Sequence, residues 1–88
     1  MNNFYGILKV ISVSDIIFDY YNKCKLYFYI TCTDEDDKRY KSKILIKCDE
    51  IIIRTFYSKI KVNDYIYVYG KIVKEAIVYI DSKLIYIL

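Results

Sequence analysis

The sequence predicts an all-β domain carrying one short helix, and three observations lead there. Apolar and polar residues alternate with period two along most of the chain, most clearly in CKLYFYITCTDEDDKRYKSKILIKC, Cys24 to Cys48. One segment after Cys48 instead repeats its apolar residues at a spacing of four. Polar, turn-favouring stretches such as DEDDKR separate the alternating runs. The 88 residues make one domain, 1–88. A chain this short buries a smaller fraction of its surface than a longer one. With 56% hydrophobic residues it still has apolar side chains to spare for an interface with another copy or a partner.

The first strand runs from about Tyr5 to Val13. Lys9 faces out, so Leu8 and Val10 face in. Ile7 and Ile11 then fall on the outer parity, to be covered by barrel curvature or by a second subunit. SDIIFDYYNK, Ser14 to Lys23, reads as a loop with two apolar pairs. The second and third strands form a hairpin. Before its acidic tip, Lys25, Tyr27, Tyr29 and Thr31 share one face, and Cys24, Leu26, Phe28, Ile30 and Cys32 share the other. After the tip, Lys41, Lys43 and Lys47 rejoin the first face, and Ile44, Ile46 and Cys48 rejoin the second. Setting Tyr29 opposite Lys43 places Tyr27 opposite Leu45 and Lys25 opposite Lys47. A slip by one residue would drive three lysines into the core, so the parity is strongly specified.

Asp49 is the expected N-cap of the helix, with Glu50 in the first turn near its positive end. Ile52, Phe56 and Ile60 form the apolar stripe. The fourth strand, DYIYVYGKIV, turns Ile66, Val68, Gly70 and Ile72 inward and Tyr65, Tyr67, Tyr69 and Lys71 outward. Gly70 has no side chain, which allows a bend or a close backbone approach. Lys74-Glu75 is a turn, and the last strand, Ala76 to Leu88, is bulged or broken at Asp81-Ser82-Lys83. Three strands, a helix and two strands is the element order of the OB-fold, a five-stranded Greek-key barrel with its helix between strands 3 and 4.

The net charge of +3 permits a nucleic-acid partner without demanding one. No run approaches the roughly 18 apolar residues of a membrane span, and no signal-peptide pattern opens the chain. A cytoplasmic protein with no membrane association is expected. There are three cysteines, no CxxC pair and no histidine, so an ordinary zinc site is excluded. All three cysteines share the apolar parity, which predicts buried free thiols. A Cys24–Cys48 disulfide across the hairpin is the alternative, and a reducing cytosol disfavours it. The acidic run Asp34 to Asp37 lacks the spacing and glycine of a calcium loop and reads as a solvated turn. Without histidine, a glycine-rich loop or a spaced carboxylate dyad, no catalytic apparatus is visible. The expectation is a binding module, not an enzyme, with no cofactor. Ile, Lys, Tyr and Asn are abundant as an AT-rich genome would make them, so the placement of the tyrosines carries more meaning than their number.

Unpaired nucleic acid offers a row of phosphates and a row of base planes. Tyrosine rings stack on bases, and lysines neutralise phosphates with release of counterions. The central platform is therefore expected on Lys25, Tyr27, Tyr29, Lys41, Lys43 and Lys47, extended by Lys9 and Lys71. Lys38 and Arg39 at the hairpin tip would grip the backbone. Tyr65, Tyr67 and Tyr69 form either a second stacking row or a surface packed beneath the helix or against a subunit. The ordinary counter-reading is that tyrosine favours strands and that edge lysines prevent unwanted strand pairing.

The stretch KILIKCDEIIIRTFYSKIKVNDYIYVYGKI, Lys43 to Ile72, resembles the bacterial single-stranded DNA-binding protein family and its shorter primosomal relatives. A strand, a short helix and a lysine-rich turn lead into a strand whose pattern is similar at Ile66, Val68, Gly70, Lys71 and Ile72. The ending YIDSKLIYIL and the opening GILKVISVSDI look like the family's last and first barrel strands. The family's glycine-arginine after the first strand, its stacking tryptophan, its long last hairpin and its acidic C-terminal tail are missing. The resemblance implies a bare barrel that binds single-stranded DNA in replication or recombination, as a homodimer or other homo-oligomer. It would be the small type carried by phages and mobile elements, without the tail's recruitment of partners. RNA is also open as a ligand, since stacking alone does not separate it from DNA. The alternative is an OB-type interaction subunit docking on a replication enzyme through Ile7, Ile11 and the Tyr65 row.

Overall fold

The computed structural model describes residues 2–34 and 43–88. Its elements are β1 (Asn3–Val13), β2 (Ile17–Asp19), β3 (Lys25–Thr33), β4 (Lys43–Cys48), α1 (Glu50–Phe56), β5 (Tyr65–Lys74) and β6 (Val78–Ile87). β1 begins antiparallel to β5, from Asn3↔Lys71 to Lys9↔Tyr65. It then transfers to β3, from Lys9↔Thr33 to Val13↔Ile30. Ile11 is the extra residue between Val10 and Ser12, and this bulge bends the strand so that one chain segment serves two partners. β3 pairs with β4, β4 lies parallel to β6, and β6 returns antiparallel to β5. The ring β1-β5-β6-β4-β3-β1 is closed. This is the OB-fold Greek-key barrel that the element order predicts, with α1 between its third and fourth strands.

The interior is filled by the inward parity of each strand. Leu8, Val10, Phe28, Ile30, Cys32, Ile46, Cys48, Ile66, Val68, Ile80 and Ile85 are buried, and Ile52 and Ile60 close the helical end. Asp49 caps α1 as expected, its carboxylate accepting from the amides of Ile51 and Ile52 at 3.1 and 3.3 Å. The helix stops at Phe56, so Ile60 reaches the core from the turn that follows. Tyr57 packs edge-on to Phe28 at 4.8 Å and donates its hydroxyl to the Ser14 carbonyl at 3.0 Å. That contact ties the helix to the end of β1.

Three expectations are corrected. Ser14 to Lys23 is not wholly loop: Ile17, Phe18 and Asp19 pair with Tyr27, Leu26 and Lys25 and continue along one edge of β3. Asp19 holds the turn that follows by accepting from the amides of Tyr21 and Asn22 at 3.0 and 3.2 Å. Cys24 leaves the apolar parity, because Lys23 and Cys24 take left-handed backbone angles (φ 54° and 53°) to close this turn. Its thiol is exposed, while Cys32 and Cys48 are buried, and all three are free. The hairpin register also differs. Tyr29 faces Lys47, Thr31 faces Leu45 and Thr33 faces Lys43. The parity is the one expected, but alternation alone cannot distinguish registers that differ by an even number of residues, here four. The observed register lets Phe28 sit beside Cys48, under Tyr57.

The bulge expected near Asp81-Ser82-Lys83 is present. Tyr69 faces Leu84 but Gly70 faces Ser82, so Lys83 is the extra residue. At this point β5 and β6 come close. A Cβ on Gly70 would lie 2.9 Å from both the Ile80 Cγ2 and the Ser82 Cα, and closer still to the Asp81 carbonyl. Backbone cannot yield as a flexible side chain can. Gly70→Ala is therefore expected to destabilise the fold by about 1–3 kcal/mol through overpacking, read as a lower urea midpoint.

Burial pushes the Cys32 and Cys48 thiols up to about 12, from an ordinary value of 9.0. A thiol-specific disulfide reagent at mildly alkaline pH should modify Cys24 quickly and the other two only on unfolding. Both buried thiols are held neutral by the fold. Their contribution to stability is thus complete below pH 9 and is lost as the pH climbs from there toward 12, which an alkaline denaturation series would show.

Candidate nucleic-acid interface

The outer face of β3, β4 and the first half of β6 assembles three tyrosines around one lysine. Inward Phe28 and Ile30 leave Tyr27 and Tyr29 pointing out, inward Ile46 leaves Lys47 out, and inward Ile80 leaves Tyr79 out. The register brings them together, because Tyr29 lies opposite Lys47 and Lys47 lies beside Asp81. The Lys47 ammonium stands 4.6 Å from the centre of the Tyr27 ring and 5.5 Å from that of Tyr79. Tyr27 and Tyr29 meet edge to face at 5.5 Å, and Tyr29 and Tyr79 do so at 6.4 Å.

The cluster is tethered from beneath. The Lys47 carbonyl accepts from the buried Ser82 hydroxyl at 2.7 Å. Ser14 holds Tyr29 from both sides: its amide donates to the Tyr29 carbonyl at 2.9 Å, and its Oγ accepts from the Tyr29 amide at 2.8 Å. The rings themselves are only half-buried. Rings at right angles leave faces open to a third plane. The internal contacts are worth about 0.5–1.5 kcal/mol per ring pair and about 0.5–1 kcal/mol for an exposed cation over a ring. Stacking of a base is worth about 1–3 kcal/mol, so a base competes well for these faces.

Lys25 and Lys43 are exposed at the two ends of the face. At about 3.3 Å per residue each lies some 13 Å along its strand from the central row. Lys71 ends the row Tyr29–Lys47–Asp81–Lys71 that crosses four neighbouring strands. Asp81 interrupts that row and is paired with Lys83 at 3.5 Å. Arg39, Lys41 and Lys38 lie outside the described residues. Lys9 borders this face at its Lys43 end, since it pairs with Thr33 and Thr33 pairs with Lys43; its ammonium sits 5.9 Å from the centre of the Tyr65 ring on the strand beyond.

Tyr65, Tyr67 and Tyr69 do not join the platform, nor do they lie beneath the helix. They stand on the outer face of β5 between β1 and the second half of β6, with Tyr65 and Tyr69 exposed. Tyr79 is the member that sequence reasoning missed. Inward Ile80 was enough to turn it outward, but nothing local shows that β6 lies beside β4. Among the described residues no cluster of three or more potential metal ligands occurs, and no helix is long and apolar enough to cross a membrane.

Comparison with protein-family models, with curated proteins and with solved structures returns no match. Fold and geometry therefore carry the functional argument.

Burial raises the Tyr29 phenol above its ordinary value of 10.0, and the nearby Tyr27, Tyr79 and Glu75 add to the effect. Tyr79 is raised by burial and by Glu75 and Asp81. Both phenols stay neutral on the face at physiological pH. In an ultraviolet titration these two should ionise above the ordinary value for a tyrosine. The fold holds their protons more tightly than the unfolded chain does, so their contribution to stability is present below pH 10 and fades above it.

Proposed function

We propose that the protein binds single-stranded nucleic acid without reading its sequence, with single-stranded DNA as the principal ligand. In this reading it is a non-catalytic cytoplasmic factor of replication or recombination, of the kind a phage or mobile element carries. The observation that supports this most is Lys47 set among Tyr27, Tyr29 and Tyr79. A cation at the centre of open ring faces suits a ligand that alternates phosphate and base at short range. Lys25, Lys43 and Lys71 continue the cationic track on either side, which suits an extended strand more than a compact anion. The resemblance between Lys43 and Ile72 points the same way.

Fluorescence anisotropy with labelled oligo-dT tests the proposal. Binding should be clear at low salt and fall steeply as salt rises. Changing Tyr27 and Tyr29 together to Ala should weaken it more than about tenfold, and Tyr79→Ala should weaken it in the same direction. Lys47→Gln should lower the slope of log affinity against log salt by about one. An oligo-U series measures the preference between DNA and RNA. The proposal fails if low salt shows no binding, or if the double alanine variant keeps its fold and its affinity.

A further inference from the structure

The hairpin that joins β5 to β6 ends in an apolar tip. Lys74 pairs with Val78, and Glu75, Ala76 and Ile77 make the connection. Every residue from Lys74 to Val78 is exposed, Ile77 at 64% and Val78 at 59%. Val78 has the inward parity of Ile80 but precedes the first β4–β6 pair, Ile46↔Ile80, and stays in solvent. Hairpin tips favour Gly, Asn, Asp and Ser, which accept left-handed backbone angles or bond to the turn. This tip has no left-handed residue. Turn geometry therefore does not account for Ala76-Ile77-Val78, and solvation opposes it.

The neighbours of the tip show what kind of ligand it meets. Tyr79 of the tyrosine–lysine face follows Val78 directly. After burial, Glu75 is among the groups that raise the Tyr29 and Tyr79 phenols, so the tip stands beside that face. β4 and β6 run parallel. Lys43 and Ile77 each stand three residues before the pair Ile46↔Ile80, at the same end of the barrel. Lys74 flanks the tip on the other side, from β5. Neighbouring strands lie about 4.8 Å apart, so the backbones of these two lysines are roughly 10 Å apart across β6. Both are exposed. Two cations straddle an apolar tip at one end of a face of open rings.

We infer, resting on the single-strand reading of the Lys47 cluster, that this end of the barrel receives the junction between a single strand and a duplex. The unpaired strand lies over Tyr27, Tyr29 and Tyr79. Where it enters the duplex, Ile77 and Val78 pack on the terminal base pair. The face of that pair is a broad apolar surface free of phosphate, and isoleucine is one of the side chains that seat against base steps. The duplex carries a phosphate row on each side of the pair, within reach of Lys43 on one flank and Lys74 on the other. A single strand has one such row and needs one flank. Glu75 repels a phosphate or an anionic lipid headgroup from the tip itself, which leaves the uncharged base pair as its match.

Fluorescence anisotropy on the full chain tests the inference. The labelled probes are an oligo-dT, a blunt duplex, and that duplex carrying the same oligo-dT as a 3′ or a 5′ tail. One tailed duplex should bind at least about tenfold more tightly than the oligo-dT or the blunt duplex, as burial of an exposed isoleucine provides. Ile77→Ser alters an exposed side chain, so circular dichroism and oligo-dT affinity should be unchanged while the preference disappears. Ile77→Leu should retain it. Lys74→Gln should lower the salt slope by about one for the tailed duplex and leave that for oligo-dT as it was. Oligo-dT binding with no preference for either tailed duplex overturns this inference alone. So does a blunt duplex bound as tightly as a tailed one, or an Ile77→Ser change that weakens oligo-dT and tailed duplex alike. If neither oligo-dT nor a tailed duplex binds at low salt, the single-strand reading falls and the junction falls with it.

Discussion

The contact between β4 and β6 is the constraint on which the rest of the molecule depends. The two strands run parallel and share two registered pairs, Ile46↔Ile80 and Lys47↔Asp81. Such a short seam leaves backbone groups at its margin, and an unpaired buried carbonyl costs about 1–3 kcal/mol. Ser82, the one buried polar side chain among the described residues, removes part of that cost by donating to the Lys47 carbonyl. Gly70 lets β5 approach the same point, where any side chain would meet backbone. Closing the barrel there puts Ile46 and Ile80 into the core, and it carries Lys47 outward into the space among three tyrosines.

Parallel neighbours need a long connection, and here the chain between them supplies α1 and β5. The helix is too short to be stable by itself. It is held by its Asp49 cap, by burial of Ile52 and by the Tyr57 contacts to Phe28 and Ser14. Ser14 in turn pairs with Tyr29 on both its carbonyl and its amide. The closed end of the barrel and the tyrosine–lysine face are thus joined through one serine, so the position of Tyr29 follows from the packing of the helix.

One bulge divides the exterior into two kinds of surface. Up to Asp81, β6 lies between β5 and Lys47 of β4; beyond Lys83 its outward residues lie beside the tyrosines of β5. The first surface mixes cations with half-buried rings and suits a charged, planar ligand. The second is almost free of charge. Tyr27, Tyr29 and Tyr79 therefore gather around a lysine of β4, whereas Tyr67, Tyr69 and Tyr86 lie beside one another and other apolar side chains.

Much was legible in the chain itself. The inward and outward parity of β1, β3, β4 and β5, the Asp49 cap, the bulge near Ser82 and the order of elements that names the OB-fold are all local properties. They follow from a two-residue period, a capping carboxylate and an interrupted pattern, each visible within about ten residues. The partners were not legible. Tyr29 opposite Lys47 instead of Lys43 and Tyr79 beside them were decided by pairing between strands as the barrel closes, and the strand within Ser14 to Lys23 and the exposed Cys24 by the β2–β3 pairing and its turn. Alternation repeats every two residues, so it fixes which face a side chain takes but not which residue lies across from it. That choice belongs to contacts between segments far apart in sequence, and only the closed barrel makes them.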